Sequence, residues 1–162
     1  MKKILLIPDS YKGTMSSSEI CEIMKNSIRS FFPETEIVSI PVADGGEGSV
    51  DSFLSAVGGE KVWLPVKGPY FENVKGFYGR LPDNTAVIEM AAAAGLPLVG
   101  NKKHVEETTT YGVGQLIEHA VKTGCKKIIV GLGGSATNDG GVGAAAALGV
   151  RFQDSSGKSF IP

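Results

Sequence analysis

Along the chain, unbroken apolar runs alternate with segments whose apolar residues recur every three or four positions, and the first such alternation sets the fold class. Lys3 to Ile7 is apolar after its first residue and ends at Pro8, the pattern of a strand buried on both faces in a parallel sheet. Helices must then cover it. Ser16-x-x-Glu19 is a capping box, and Ile20, Ile23, Met24, Ile28 and Phe31 follow on one helical face until Pro33. Glu36 to Ile40 is a second strand, which makes a β-loop-α-β unit with parallel strands and a right-handed crossover. After the polar loop Ala43-Asp44-Gly45-Gly46-Glu47-Gly48, a second helix carries Val50, Phe53, Leu54 and Val57 and stops at Gly58-Gly59.

From Lys61 the pattern changes to strands without intervening helix: Val62 to Val66, Val74 to Leu81 and Thr85 to Glu89, with a hairpin turn at Pro82-Asp83-Asn84. A helix-like alanine patch at Met90 to Ala94 follows. The next helix has Val113, Leu116, Ile117, Ala120 and Val121 on one face and Gly124 as its stop. A buried strand at Lys127 to Val130, the glycine-rich run Gly131 to Gly143, a short helix Ala144 to Leu148 and a strand Val150 to Gln153 complete the pattern. The expected fold is α/β, with a parallel, Rossmann-like sheet first and the beginning of a second α/β domain after it. The boundary is placed near residue 66, dividing 1–66 from 67–162.

The 162 residues are enough for a sizeable core, and 16 Lys+Arg against 17 Asp+Glu leave a net charge of −1, without the basic excess of a general nucleic-acid binder. No uncharged run approaches the roughly 18 residues of a membrane span. The start, Met1-Lys2-Lys3-Ile4-Leu5-Leu6-Ile7, has the charge of a leader peptide, but its apolar stretch is shorter than the ~7 residues required, so it reads as a strand. Cys21 and Cys125 lack C-x-x-C spacing and neighbouring histidines, which points to reduced thiols in a cytoplasmic protein rather than zinc or a redox pair. The 22 glycines are about twice average usage.

That excess falls in loops. Asp9 to Thr14, Ala43 to Gly48 and Gly133 to Gly143 each follow a predicted parallel strand, and ligands of open α/β sheets bind beyond the carboxyl ends of strands. Glycines let backbone amides approach phosphate oxygens, and the helix N-termini after the second and third loops add partial positive charge. Lys12 offers an ammonium beside Ser10 and Gly13. Asp44, Glu47 and Asp139 offer carboxylates that could hold Mg²⁺ or accept an alcohol's proton, or that could simply close turns and cap helices. Gly131-Leu132-Gly133-Gly134-Ser135-Ala136 also matches a dinucleotide fingerprint, with Asp154 at ribose distance in sequence, which keeps an NAD-dependent oxidoreductase as the alternative. Against it, Thr137 to Gly141 are poor helix formers where that fold opens its helix. A Walker-type phosphate loop is absent, and His104 and His119 sit in a charged loop and on a polar helix face.

Asp9-Ser10-Tyr11-Lys12-Gly13, Pro41 to Gly48 and Gly133-Gly134-Ser135-Ala136-Thr137-Asn138-Asp139-Gly140-Gly141 resemble the bacterial glycerate kinase family. Ile88-Glu89-Met90-Ala91-Ala92-Ala93 with Gly95-Leu96, and Thr108 to Gly114, extend the resemblance nearly end to end. It implies transfer of phosphate from ATP, with Mg²⁺, to D-glycerate, typically at the 2-hydroxyl, by two α/β domains around a cleft, one flavodoxin-like with the other inserted into it. It further implies Lys12 on phosphate charge, and the loops Gly45 to Gly48 and Gly133 to Ser135 with Thr137 and Asn138 on phosphate or carboxylate oxygens. Asp44 or Asp139 would serve the metal or the proton. Family chains are more than twice this length, so the resemblance also leads to the expectation that the C-terminal remainder is absent, that this segment alone is inactive, and that its uncovered sheet recruits another chain or a second copy.

Overall fold

The computed structural model describes residues 3–102 and 104–161. Met1, Lys2 and Pro162, which enter the reading of the chain's two ends, lie outside them. The first apolar runs become β1 (Lys3–Leu6) and β2 (Glu36–Ser39), paired in parallel with Lys3 opposite Glu36 and Leu6 opposite Ser39. They are joined by α1 (Ser17–Phe31), which opens on the expected capping box: Glu19 N donates to Ser16 Oγ at 3.2 Å and Ser16 N to Glu19 Oε2 at 2.7 Å. Two expectations need correction. The buried stripe of α1 is Ser17, Ile20 and Cys21, whereas Ile23, Met24 and Phe31 are exposed. In β1, Leu6 is buried while Leu5 and Ile7 are about half exposed, at 53% and 50%. Both follow from the same cause: among the described residues of this unit, β1 has one partner strand and one helix, too little to cover both faces.

This unit, Met1–Asp44, is followed by a larger one, Gly45–Pro162. The expected boundary near residue 66 falls inside β3 (Glu60–Lys67), whereas the compact units divide at Asp44. The larger unit begins with α2 (Ser49–Val57) and continues through β3, β4 (Asn73–Arg80) and β5 (Thr85–Glu89) to the short helices α3 (Ala91–Ala94) and α4 (Leu96–Val99). Then come α5 (Tyr111–Lys122), β6 (Lys127–Gly131), α6 (Val142–Ala147), β7 (Phe152–Gln153) and β8 (Ser159–Phe160). The four-stranded sheet runs β3-β4-β5-β6, antiparallel for its first two pairs and parallel between β5 and β6. The hairpin turn forms as expected, with Asn84 N donating to Leu81 O at 3.0 Å and Asn84 in the left-handed region at φ 61°.

Strand alternation then distributes the core. All of β5 is buried, with Ala86 and Ile88 packed among Val113, Leu116 and Ala120 of α5 and the alanines of α3. Val87 faces the other way, with Val50 of α2 and Leu81. The sheet therefore lies between α3/α5 and α2. β6 is half-buried rather than buried, because it is an edge of this sheet among the described residues. The last helix starts at Val142 instead of Ala144, and the strand expected at Val150 to Gln153 shrinks to two residues that pair with β8, which periodicity did not reveal.

Leu116 and Val121 share an apolar face in the sequence pattern, but Leu116 is fully buried and Val121 is 56% exposed. Leu116→Ala is expected to cost about 3 kcal/mol through lost burial and a residual cavity, and Val121→Ala no more than about 0.5 kcal/mol. Urea unfolding of the two variants checks this, and equal costs would refute the packing described.

Candidate functional site

In the first unit, the loops after β1 and β2 are tied together by one buried side chain. Ser17 Oγ donates to Pro8 O at 2.6 Å and accepts from Val42 N at 3.0 Å. Beyond it, Tyr11 to Met15 closes as a tight turn around Gly13, with Thr14 and Met15 amides on the Tyr11 carbonyl at 2.8 and 3.0 Å. The amide of Ser10 donates to Asp9 Oδ1 at 2.7 Å. Lys12 and Asp44, 32 residues apart in sequence, meet as an ion pair at 2.5 Å with both side chains about half exposed. An ion pair so open contributes up to about 1 kcal/mol. Its main effect is to hold a cation and a carboxylate side by side at the loop ends.

In the second unit, the parallel pair β5/β6 ends with Glu89 opposite Gly131. There the loop Gly45 to Gly48 and the run Gly131 to Gly134 pack backbone against backbone. Gly133 N donates to Gly45 O at 3.0 Å. A Cβ at Gly131 would lie 2.4 Å from Gly45 O, and one at Gly133 would lie 2.6 Å from Gly46 N, so any side chain would force the loops apart. Glu47 packs on Gly134, its carboxyl carbon 3.3 Å from where a Cβ would stand. Leu96 N and Ala136 N bind Gly134 O and Ala94 O at 2.9 and 2.8 Å, which attaches the same run to the segment after β5. Gly45, Gly46, Glu47, Gly133 and Gly134 are thus brought together as expected, but much of the glycine content serves loop-to-loop contact.

The helix N-termini expected to face an anion are each held by a carboxylate of the chain itself. Glu89, 2% exposed, lies on the α2 side of β5 and accepts from Val50 N at 2.6 Å and from Gly48 N. Burial raises its pKa, prevailing over the Val50 hydrogen bond; Asp51 adds to the rise, while Lys61 and the Gly48 amide oppose it. Asp139 does the same for two helices. Its Oδ2 accepts from Thr110 N (2.8 Å), Thr110 Oγ1 (2.7 Å) and Gly143 N (3.1 Å), and its Oδ1 from Gly141 N (3.0 Å). Thr110 Oγ1 in turn accepts from Ala144 N at 2.9 Å, so the starts of α5 and α6 share one network. Desolvation works to raise the Asp139 pKa, but the hydrogen bonds from Thr110, Gly141 and Gly143 together lower it. Of the two readings of Asp139, the helix cap is the one whose contacts are present.

Ser135 and Thr137 hydroxyls face one another at 2.9 Å, and Asn138 is exposed. His104 is exposed beside Glu106, and His119 Nδ1 meets the Tyr78 hydroxyl at 3.2 Å. The dinucleotide fingerprint has no helix within it: α6 opens only at Val142, and Asp154 is spent on its own turn, accepting from Ser156 and Lys158 amides at 2.8 and 3.0 Å. Glu89 and Thr110 were not singled out from the residues alone. Glu89 had a signal, being the acid that ends an otherwise apolar strand on the side of Val87. Among the described residues, no group of three or more His, Cys, Asp or Glu is placed to hold a metal ion, and no helix is long and apolar enough to cross a membrane.

The two capping carboxylates should respond to pH with opposite signs. Glu89, raised by burial, contributes most when neutral, below about pH 4.3, and loses that contribution as pH rises through its elevated folded value. Asp139, lowered, contributes fully above about pH 3.9 and loses that contribution as pH falls through its folded value. Urea midpoints from about pH 3 to about pH 8 should show Glu89→Gln gaining on the parent as pH rises and the deficit of Asp139→Asn shrinking as pH falls. Profiles parallel to the parent's would overturn both assignments.

Comparison with known proteins then gives this arrangement a context. The sequence profile described as "Glycerate kinase family" matches residues 4–162. A glycerate kinase of Bacillus cereus is 48% identical over 162 residues, covering 99% of this chain and 42% of the relative. Glycerate 2-kinase of Escherichia coli is 46% identical over 157 residues, covering 96% of this chain and 41% of the relative. A crystal structure described as a glycerate kinase 2 of Salmonella typhimurium LT2 matches with a TM-score of 0.80 and 42% identity, over 98% of this chain and 43% of that one. The chain thus spans about two fifths of the length of these relatives. With the family profile matched from β1 to the end of the described residues, and the loop motifs lying within that match, the chain belongs to the glycerate kinase family.

Proposed function

We propose that the full-length protein transfers the γ-phosphoryl group of ATP to D-glycerate, with the 2-hydroxyl as acceptor and 2-phosphoglycerate and ADP as products. The observation that carries this is the family match over residues 4–162, with a relative named glycerate 2-kinase supporting the position of transfer. In the reaction the glycerate hydroxyl oxygen forms a bond to the γ-phosphorus, the bond from that phosphorus to the β–γ bridging oxygen breaks, and the hydroxyl proton leaves to a base. Such a transfer asks the protein for positioning and charge neutralisation more than for covalent chemistry.

Lys12 is assigned to phosphate charge. Of the two candidate bases, Asp44 is favoured, because its carboxylate is about half exposed beside Lys12, whereas Asp139 already accepts from four donors, about as many as a carboxylate has lone-pair sites. Asp139 then acts as a positioning residue for the starts of α5 and α6. The same donor set does not fit a closed Mg²⁺ site built by this segment, since Asp139 is occupied and Asp44 pairs with Lys12. An ion carried on the nucleotide phosphates, touching at most one carboxylate here, is the form of Mg²⁺ use the residues support. Gly133, Gly134, Ser135, Thr137 and Asn138 remain assigned to substrate or phosphate oxygens, and a cytoplasmic location is the setting this reading implies.

The full-length protein supplied with Mg-ATP and D-glycerate should release ADP and 2-phosphoglycerate, identified by phosphorus NMR. Turnover with a different hydroxy acid alone would sink the substrate assignment. Lys12→Ala acts at a half-exposed ion pair, so its Tm should stay close to the parent's while kcat/KM falls by about 100-fold or more. An unchanged kcat/KM would remove Lys12 from the site.

A further inference from the structure

The four-stranded sheet of the larger unit begins at β3, which among the described residues pairs with β4 alone. Two bonds at its end show which backbone groups face outward. Gly68 N donates across the hairpin to Glu72 O at 2.8 Å, whereas Lys67 N donates away from β4, to Gln115 Oε1 of α5 at 2.7 Å. Direction alternates along an antiparallel strand, so the amides of Lys61 and Trp63 and the carbonyls of Lys61, Trp63, Pro65 and Lys67 also point to the free edge. Half of that edge is closed. Gln115 takes the Lys67 amide, Gly112 packs on the Lys67 carbonyl where a Cβ would overlap it, and Pro65 has no amide to offer. The other half is open: no described residue takes the amide of Lys61 or of Trp63.

The side chains beside the open half are aromatic and basic. Lys61 and Trp63 share a face with Lys75 and Phe77 of β4. Trp63 is 48% exposed and leans on Phe77, with ring centroids 4.7 Å apart. Lys75 Nζ stands 5.0 Å from the centre of the Trp63 ring, and Lys61 Nζ stands 4.6 Å from that of Phe77. Asp51 pairs with Lys61 at 2.6 Å, and no described carboxylate pairs with Lys75. We propose that the 61–64 stretch of this edge receives an extended acidic segment of a partner protein. The segment adds a strand through the backbone of Lys61 and Trp63, sets its carboxylates on Lys61 and Lys75, and lays an apolar side chain on Trp63. Charge selects this occupant over a second copy of the chain, whose β3 would bring further lysines to the same face. The outward amides and carbonyls select a peptide over a nucleic acid, which has no matching row of donors and acceptors.

The test is fluorescence anisotropy of a labelled octapeptide of alternating glutamate and valine, titrated with the full-length protein. The same peptide with every amide N-methylated, an octapeptide of alternating lysine and valine, and decauridylate serve as comparisons. The acidic peptide should bind with a Kd below about 1 mM, and the N-methylated and lysine peptides at least ~10-fold more weakly. Trp63→Pro extends the closure at Pro65 by removing another outward amide, and Lys75→Glu reverses an exposed charge; each should weaken binding by about 5-fold or more. If Trp63→Pro lowers Tm, Lys75→Glu, at an exposed side chain, carries the test alone. No binding by the parent protein, equal binding of the N-methylated peptide, affinity unchanged in Lys75→Glu, or tighter binding of decauridylate would each overturn the proposal. So would sedimentation showing a parent dimer that Trp63→Pro splits, since the edge would then belong to a second copy.

Discussion

A carboxylate buried at the end of a central strand has to be hydrogen-bonded or neutral, and Glu89 meets that requirement by taking the first amides of α2. Much of the larger unit's site end depends on this contact. It fixes the start of α2 against β5, and with it the preceding loop Gly45 to Gly48. That loop in turn has to meet Gly131 to Gly133 at a distance that excludes any Cβ. Losing the carboxylate would leave buried amides unpaired at a cost of about 1–3 kcal/mol each, and would also free the loop that the glycines are shaped to receive.

The same contact redistributes charge. A bare helix N-terminus attracts anions, so two such ends beside glycine loops would ordinarily read as phosphate sites. Here Glu89 closes one and Asp139 the other, and a ligand's negative charge must find partners elsewhere. Within the larger unit the glycine loops supply close backbone approach, and the two carboxylates supply the helix caps.

How far the sequence reveals this depends on the range of each interaction. The capping box of α1, the turn at Asn84 and the β5 core are written in residues close together, and they appear as expected. The exposure of Leu5, Ile7, Ile23 and Val121 is not legible in the sequence, because periodicity tells which residues share a face but not whether a neighbour covers it. β8 is two residues long and carries no pattern of its own. A cavity beside Thr137 is assembled from segments around residues 70, 96–105 and 135, whose proximity only the fold creates. Asp139 was legible as a functional or a capping residue, and the choice needed Thr110, a partner 29 positions away.

The Gly131 to Ala136 run shows why a glycine spacing by itself underdetermines chemistry. In a dinucleotide-binding turn the missing Cβ makes room for a pyrophosphate and for the helix that follows at once. Here the space a Cβ would take at Gly131 and Gly133 is filled by the backbone of Gly45 and Gly46, and the next helix begins only at Val142. Both arrangements demand glycine at the same interval, because both demand close approach. What separates them is the identity of the atoms that approach, and for this chain those atoms belong to a second glycine loop held in place by Glu89.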